Sequence, residues 1–238
     1  MSPLPRGLTY AALLTPGTAG SLVGQGIVPV ERNWAGLYAM VAPATGEFAQ
    51  HADVGGGGGV YAGAGLDRDR VIGLRVQVSG TILGGPRYTV RYSSPGYPDE
   101  FQVVRYYHAI VSRAAGPQLT LPGRHVRPYV TGQIGISYVF SFWERRWEYD
   151  DPDLDPLDSG TGTGDFNLRL SAGGGLMIQL RRGARPLWLD LSAHWVGHGQ
   201  SEYVRDDSIA DSRWGTPVRP TPTRMSLWEF RAGVATTF

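Results

Sequence analysis

The chain has 238 residues, of which 34 are Gly and 17 Pro, no Cys, and a formal net charge of +1. The lack of Cys excludes disulfides and cysteine-ligated zinc, and the near-neutral charge leaves no electrostatic footprint for nucleic acid. All 22 basic residues are Arg. No stretch approaches the ~18 apolar residues of a transmembrane helix. The abundance of Gly and Pro, with aromatics at 11%, points to strands and turns instead.

In chain order, Arg6 precedes an apolar run, Leu8 to Leu14, followed by Gly17, Thr18, Ala19 and Gly20. That order matches a secretory signal peptide, with cleavage expected between Ala19 and Gln25. A flexible tail is the alternative, since Pro3, Pro5 and Pro16 interrupt the pattern. Residues 1–25 are therefore set apart from a single domain over 26–238. Zero Cys suits a periplasmic folding route, where stray thiols oxidise.

Period-two alternation, the mark of a strand, then recurs. Residues 34–42 and 53–65 are weak cases, the second holding the run Gly55–Gly59. A phosphate cradle would need a following helix and a Lys, so the glycines read as a close approach or bend of backbone. Residues 71–83 set Leu74, Val76, Val78 and Ile82 against Arg75, Gln77, Ser79 and Thr81. Residues 100–113 alternate imperfectly around Arg105. Residues 129–142, 166–181 and 187–198 alternate cleanly. The short links, 66–70 and 181–186, together with the intermediate 114–126, take turns with the long links 84–99, 143–165 and 199–225. Eight strands are expected, or ten if Arg87–Tyr92 forms an extra hairpin arm.

The last segment, LWEFRAGVATTF, places Trp228, Phe230, Val234 and Phe238 on one face and Glu229 and Arg231 on the other. A strand apolar outside and polar inside is what a transmembrane β-barrel requires. This terminal strand resembles the closing strand of bacterial outer-membrane β-barrel proteins of the OmpA/OmpX-like eight-stranded type. The resemblance implies an antiparallel barrel in the cell outer membrane, long loops at one end, and a monomer. Its implied partners are membrane lipid, lipopolysaccharide, and the barrel-assembly machinery, which would read Trp228, Phe230, Val234 and Phe238. Phe140, Phe142, Phe166, Trp195, Trp228 and Phe230 would form an upper aromatic girdle, with Phe238 at the lower rim.

The candidate site is the inward polar set Arg75, Arg169, Arg181, Asp190, Glu229 and Arg231. Charges inside a small barrel must pair and hydrogen-bond, so a structural salt-bridge network is expected ahead of a pore. A second reading is a lipid-modifying enzyme using Ser192, His194 and Glu202, with His198 nearby. Parity turns Ser192 and His194 inward, whereas the lipid-modifying barrels carry their catalytic groups on the lipid side. A third is a soluble lipocalin-like ligand-binding barrel, which would need an apolar interior. Asp150, Asp151, Asp153, Asp155 and Asp158 suggest a calcium loop, but Pro156 and Gly162 stand where its Gly and bidentate Glu belong. No metal or cofactor is expected. Arg87, Arg91, Arg145, Arg146, Arg205, Arg213 and Arg219, with Trp143, Trp147 and Trp214 beside them, could face lipopolysaccharide phosphates.

Overall fold

The computed structural model describes residues 33–50, 52–67, 71–92, 100–147, 158–183, 185–203 and 221–238. The expected signal peptide, residues 1–25, and segments 93–99, 148–157 and 204–220 lie outside the described residues. So do the acidic positions Asp150, Asp151, Asp153 and Asp155, and Arg205, Arg213, Arg219 and Trp214.

The strands are β1 (Asn33–Ala42, continued past Pro43 as Ala44–Thr45), β2 (Gly55–Gly65), β3 (Ile72–Tyr92) and β4 (Glu100–Thr120). They continue as β5 (Val126–Trp147), β6 (Asp158–Arg181), β7 (Leu187–Tyr203) and β8 (Thr221–Thr237). Each pairs antiparallel with its neighbour in sequence, and β1 also pairs with β8, so the sheet closes on itself. The seam is pinned at the rim, where Asn33 N donates to Phe238 O at 3.1 Å and Phe238 N to Asn33 O at 2.9 Å.

Alternation decides which side chains enter the lumen. On β3, Arg75, Gln77, Ser79, Thr81 and Leu83 are buried, while Leu74, Val76, Val78 and Ile82 are exposed on the outer wall. The outer wall is predominantly apolar, up to Phe166 at 77% and Phe230 at 52% exposure. A soluble lipocalin-like barrel would show the reverse polarity. That alternative is overturned here by the buried Arg75, Arg169, Asp190 and Glu229.

The strand count is eight, and Arg87–Tyr92 extends β3 against β4 instead of forming a separate arm. Strand pairing reaches into each of the three links expected to be long: β3 runs to Tyr92, β5 to Trp147, and β7 to Tyr203. Above the membrane neither face meets lipid, so alternation is not imposed there. In backbone register there, Arg105 stands between Glu144 and Arg87, and Arg145 stands against Asp158. Asp158 is thus the first residue of β6, within the ladder.

The lumen is layered. Toward the short-turn end lie Tyr38, Met40, Tyr61, Tyr129, Met177 and Trp188. Toward the other end lie Leu83, Ile110, Val139, Val196, Met225 and Leu227, closed over by Phe48 of the 3-10 turn Gly46–Gln50. The polar set occupies the strand positions between. Two tyrosines account for one glycine on each of β1 and β2. A Cβ on Gly59 would stand 2.6 Å from Tyr38 Oη and 2.8 Å from Cζ, and one on Gly36 would stand 2.6 Å from Tyr61 Cζ. The rings therefore lie flat on bare backbone. We expect Gly59→Val to lower the unfolding free energy by about 1–3 kcal/mol through overpacking, read as a reduced urea midpoint in detergent micelles.

Candidate functional site

Two carboxylates organise the middle of the lumen. Asp190 on β7 accepts hydrogen bonds from Tyr61 Oη at 2.6 Å and Tyr129 Oη at 2.7 Å. Arg75 reaches the same carboxylate at 3.7 Å, and its Nη1 donates to Gln118 Oε1 and to Tyr129 Oη, both at 3.3 Å. The Arg75 guanidinium also lies 3.6 Å above the Tyr61 ring centroid, close enough for a cation–π contact.

The second carboxylate, Glu229 on β8, accepts from Arg169 Nη2 at 3.2 Å and from Arg231 Nε at 3.0 Å; Arg231 Nη2 also donates to it. Arg231 Nη1 extends the chain to Gln77 Oε1 at 3.1 Å, and its guanidinium sits 4.8 Å from the Tyr38 ring centroid. The network thus runs from β3 through β6 to β8 across the lumen. Arg169 and Glu229 are 0% and 3% exposed. Low dielectric strengthens each pairing and raises the penalty for losing one partner.

Donors outnumber acceptors. The buried ionic groups among the described residues are three arginines and two carboxylates. Among the described residues, Arg169 Nε and Nη1, Arg75 Nε, Gln133 Nε2 and both ring nitrogens of His194 have no hydrogen-bond partner. Buried atoms of this kind call for ordered water. The other two lumen histidines are engaged, His108 with Ser141 Oγ and His198 with Ser137 Oγ, each at 2.8 Å.

Arg181 does not join the network. It is exposed at the rim of β6, because the register shifts between Gln179 and Arg181. An irregularity of this kind moves every later side chain off the alternation. The enzyme triad is not assembled either. Ser192 and His194 sit on the lumen wall among the arginines, with His194 fully buried. The backbone of Glu202 pairs with Pro222, eight residues further along β7, a span of roughly 26 Å in extended chain; its side chain lies outside the described residues. The terminal-strand residues Trp228, Phe230, Val234 and Phe238 are all exposed on the outer wall. At the long-loop end, Arg146 pairs with Glu144 at 3.5 Å.

Among the described side chains, the aromatic girdle covers β4 to β8. Tyr107 stacks on Phe142 at 5.1 Å between centroids, Tyr138 on Phe140 at 5.6 Å, and Trp228 on Phe230 at 6.2 Å. Below it stands a charge hidden by the imperfect alternation of β4. Arg113 is exposed on the outer wall between Val78 and Ile136. It lies six residues from Leu119 near the short-turn rim and six from Tyr107 in the girdle, close to mid-depth of the apolar band. Among the described residues it is the only charged side chain on that band. Its signal in the sequence is the apolar face of β4, Val111, Ala115 and Leu119, which it interrupts.

No family model matches the chain, and no curated protein matches it. Among solved structures, the attachment invasion locus protein Ail of Yersinia pestis, in complex with sucrose octasulfate, is 11% identical, with 87% of this chain and 98% of that one covered, at a TM-score of 0.46. Neisserial surface protein A is 15% identical over 87% and 97%, at 0.45. The N-terminal barrel domain of Pseudomonas aeruginosa OprF is 15% identical over 87% and 98%, at 0.36.

Two substitutions separate the roles of buried and lipid-facing charge. Glu229→Gln leaves Arg169 and Arg231 without their shared carboxylate and should cost about 3–5 kcal/mol of unfolding free energy. Arg113→Leu should instead stabilise the barrel by about 2–4 kcal/mol, the depth-dependent penalty for Arg on a lipid face. Urea titrations of the barrel in bilayers measure both, and a stabilised Glu229→Gln or a destabilised Arg113→Leu would overturn the respective assignment. With its ladder closed, its outer wall apolar and its charges gathered inside, the chain folds as a single eight-stranded antiparallel transmembrane β-barrel.

Proposed function

We propose that the protein resides in the bacterial outer membrane as a monomeric barrel with a structural or surface-interaction role and a lumen closed to solutes. One observation carries the reading: the polarity of the barrel is inverted relative to a soluble protein. The exposed face of β6 is Phe166, Leu168, Leu170, Leu176 and Leu180, while its inner face holds Asn167, Arg169 and Ser171. Such a wall is stable only against hydrocarbon or a partner. An apolar strand needs no helix to cross a membrane, and in bacteria barrels of this kind belong to the outer membrane.

Closure to solutes is supported by the layers of the lumen. An eight-stranded barrel is just wide enough for its own side chains. Here Phe48, Leu83 and Leu227 crowd one level, and the Arg75 and Arg169 networks the next. The lipid and lipopolysaccharide contacts, and recognition of Trp228, Phe230, Val234 and Phe238 by the assembly machinery, belong to the same proposal. A catalytic role for Ser192 and His194 gains no support from their place inside the wall.

The membrane fraction of expressing cells should contain a protein whose mobility on a denaturing gel differs between boiled and unboiled samples. Recovery in the soluble periplasmic fraction, with no mobility difference, would sink the membrane assignment. In planar bilayers the inserted wild-type barrel should give a flat current trace. Discrete conductance steps would show that the lumen is a pore.

A further inference from the structure

The short-turn end of the barrel carries a charge asymmetry that neither the lumen nor the outer wall explains. The β4–β5 and β6–β7 turns and their flanks contribute Arg124, His125, Arg127, Arg181, Arg182 and Arg185, and neither segment 117–128 nor segment 178–189 holds an acidic residue. The two turns are tied together. Gln179 N donates to His125 O at 2.8 Å, and Arg182 Nη2 lies 2.9 Å from Nε2 of the same histidine. Arg127 is held in place, its Nε donating to Gly123 O at 3.1 Å and its guanidinium 4.5 Å from the Trp188 ring centroid. Arg124, Arg181, Arg182 and Arg185 remain exposed. In the neighbouring β2–β3 turn, Asp67 accepts from Val71 N and Ile72 N at 3.1 and 2.9 Å. The C-terminal residue Phe238 ends on the same rim, beside the start of β7.

Depth selects the partner. Leu119, Leu121, Val126 and Leu180, all exposed, mark the lower edge of the apolar wall. The arginines follow them directly in sequence, so they stand where the hydrocarbon ends and lipid headgroups begin. A guanidinium fork matches phosphate oxygens with two parallel hydrogen bonds.

We propose that this rim is a binding surface for anionic phospholipids of the leaflet on the short-turn side, with the guanidinium groups of Arg124, Arg182 and Arg185 holding the headgroup phosphate. The proposal rests on the transmembrane assignment. It adds a side: lipid is gripped at the end opposite the long strand extensions.

The test is native mass spectrometry of the full chain, refolded in detergent and titrated with phosphatidylglycerol or phosphatidylcholine. Two triple variants remove equal charge from opposite ends: R124Q/R182Q/R185Q at the rim, and R87Q/R105Q/R224Q among exposed arginines of the other end. Wild type should prefer phosphatidylglycerol. The rim variant should lose roughly 100-fold in its affinity, from about fivefold per arginine over three arginines, while the other variant changes by less than about threefold. Equal losses in both would reduce the effect to net charge and overturn the proposal, as would an unchanged rim variant. Each sample is first checked for the compact unboiled band. Its loss in wild type refutes the membrane assignment itself; its loss in the rim triple alone shifts the measurement to Arg124→Gln and Arg185→Gln singly, each expected to weaken binding about fivefold.

Discussion

Every backbone N–H and C=O that meets hydrocarbon must find a partner within the protein. The pairing of β1 with β8 is where this chain meets that demand. Trp34 to Val41 run against Phe230 to Thr237 without interruption, and Asn33 and Phe238 exchange two hydrogen bonds at the rim. Without this seam two edges would open, and unpaired backbone in lipid costs several kcal/mol per group. Closure then dictates the rest. Eight strands leave a narrow lumen, and a narrow lumen is filled by the side chains that alternation sends inward.

What fills it divides into packing and charge. The tyrosines do both: Tyr38 and Tyr61 lie flat over glycines, while Tyr61 and Tyr129 offer their hydroxyls to Asp190. Arg75 is bound to those same rings from above. The charged groups are therefore placed by aromatic shape as well as by opposite charge. Ion pairs buried in this way contribute little net stability against an apolar alternative, yet losing one partner is severe. They fix which strands face each other, since Glu229, Arg169 and Gln77 come from three different parts of the wall.

Alternation reports which face a residue occupies and little else. It separates Arg75, Arg169, Asp190, Glu229 and Arg231 from the lipid-facing set because a period of two admits one assignment per strand. It fails for Arg181, where an irregularity at Gln179 breaks the period. It is silent on the outer halves of β3 to β8, because a strand wet on both faces has no pattern to keep. It also gives no sign that lumen residues such as Leu83, Val196 and Leu227 gather in one apolar layer under Phe48, since their strands are far apart in sequence and Phe48 belongs to no strand. Arg113 was obscured for a different reason: on β4 the belt itself carries a charge, so the strand that holds the exception looks like a poor strand.

The wall is also uneven in height. β2 begins at Gly55, and Asp53 N caps Gly84 O at 2.9 Å, whereas β3 continues to Tyr92. Among the described residues, the upper part of β3 is paired only with β4. Among the described residues, that length of β3 therefore has one paired edge and one unpaired edge. Such an edge is a template for a further strand, whether from a ligand that extends the sheet or from another copy that aggregates onto it. Pro86 removes one donor from that edge, and Arg87 and Arg91 add like charge along it. A proline and two arginines in one strand discourage pairing of this stretch with its own copy.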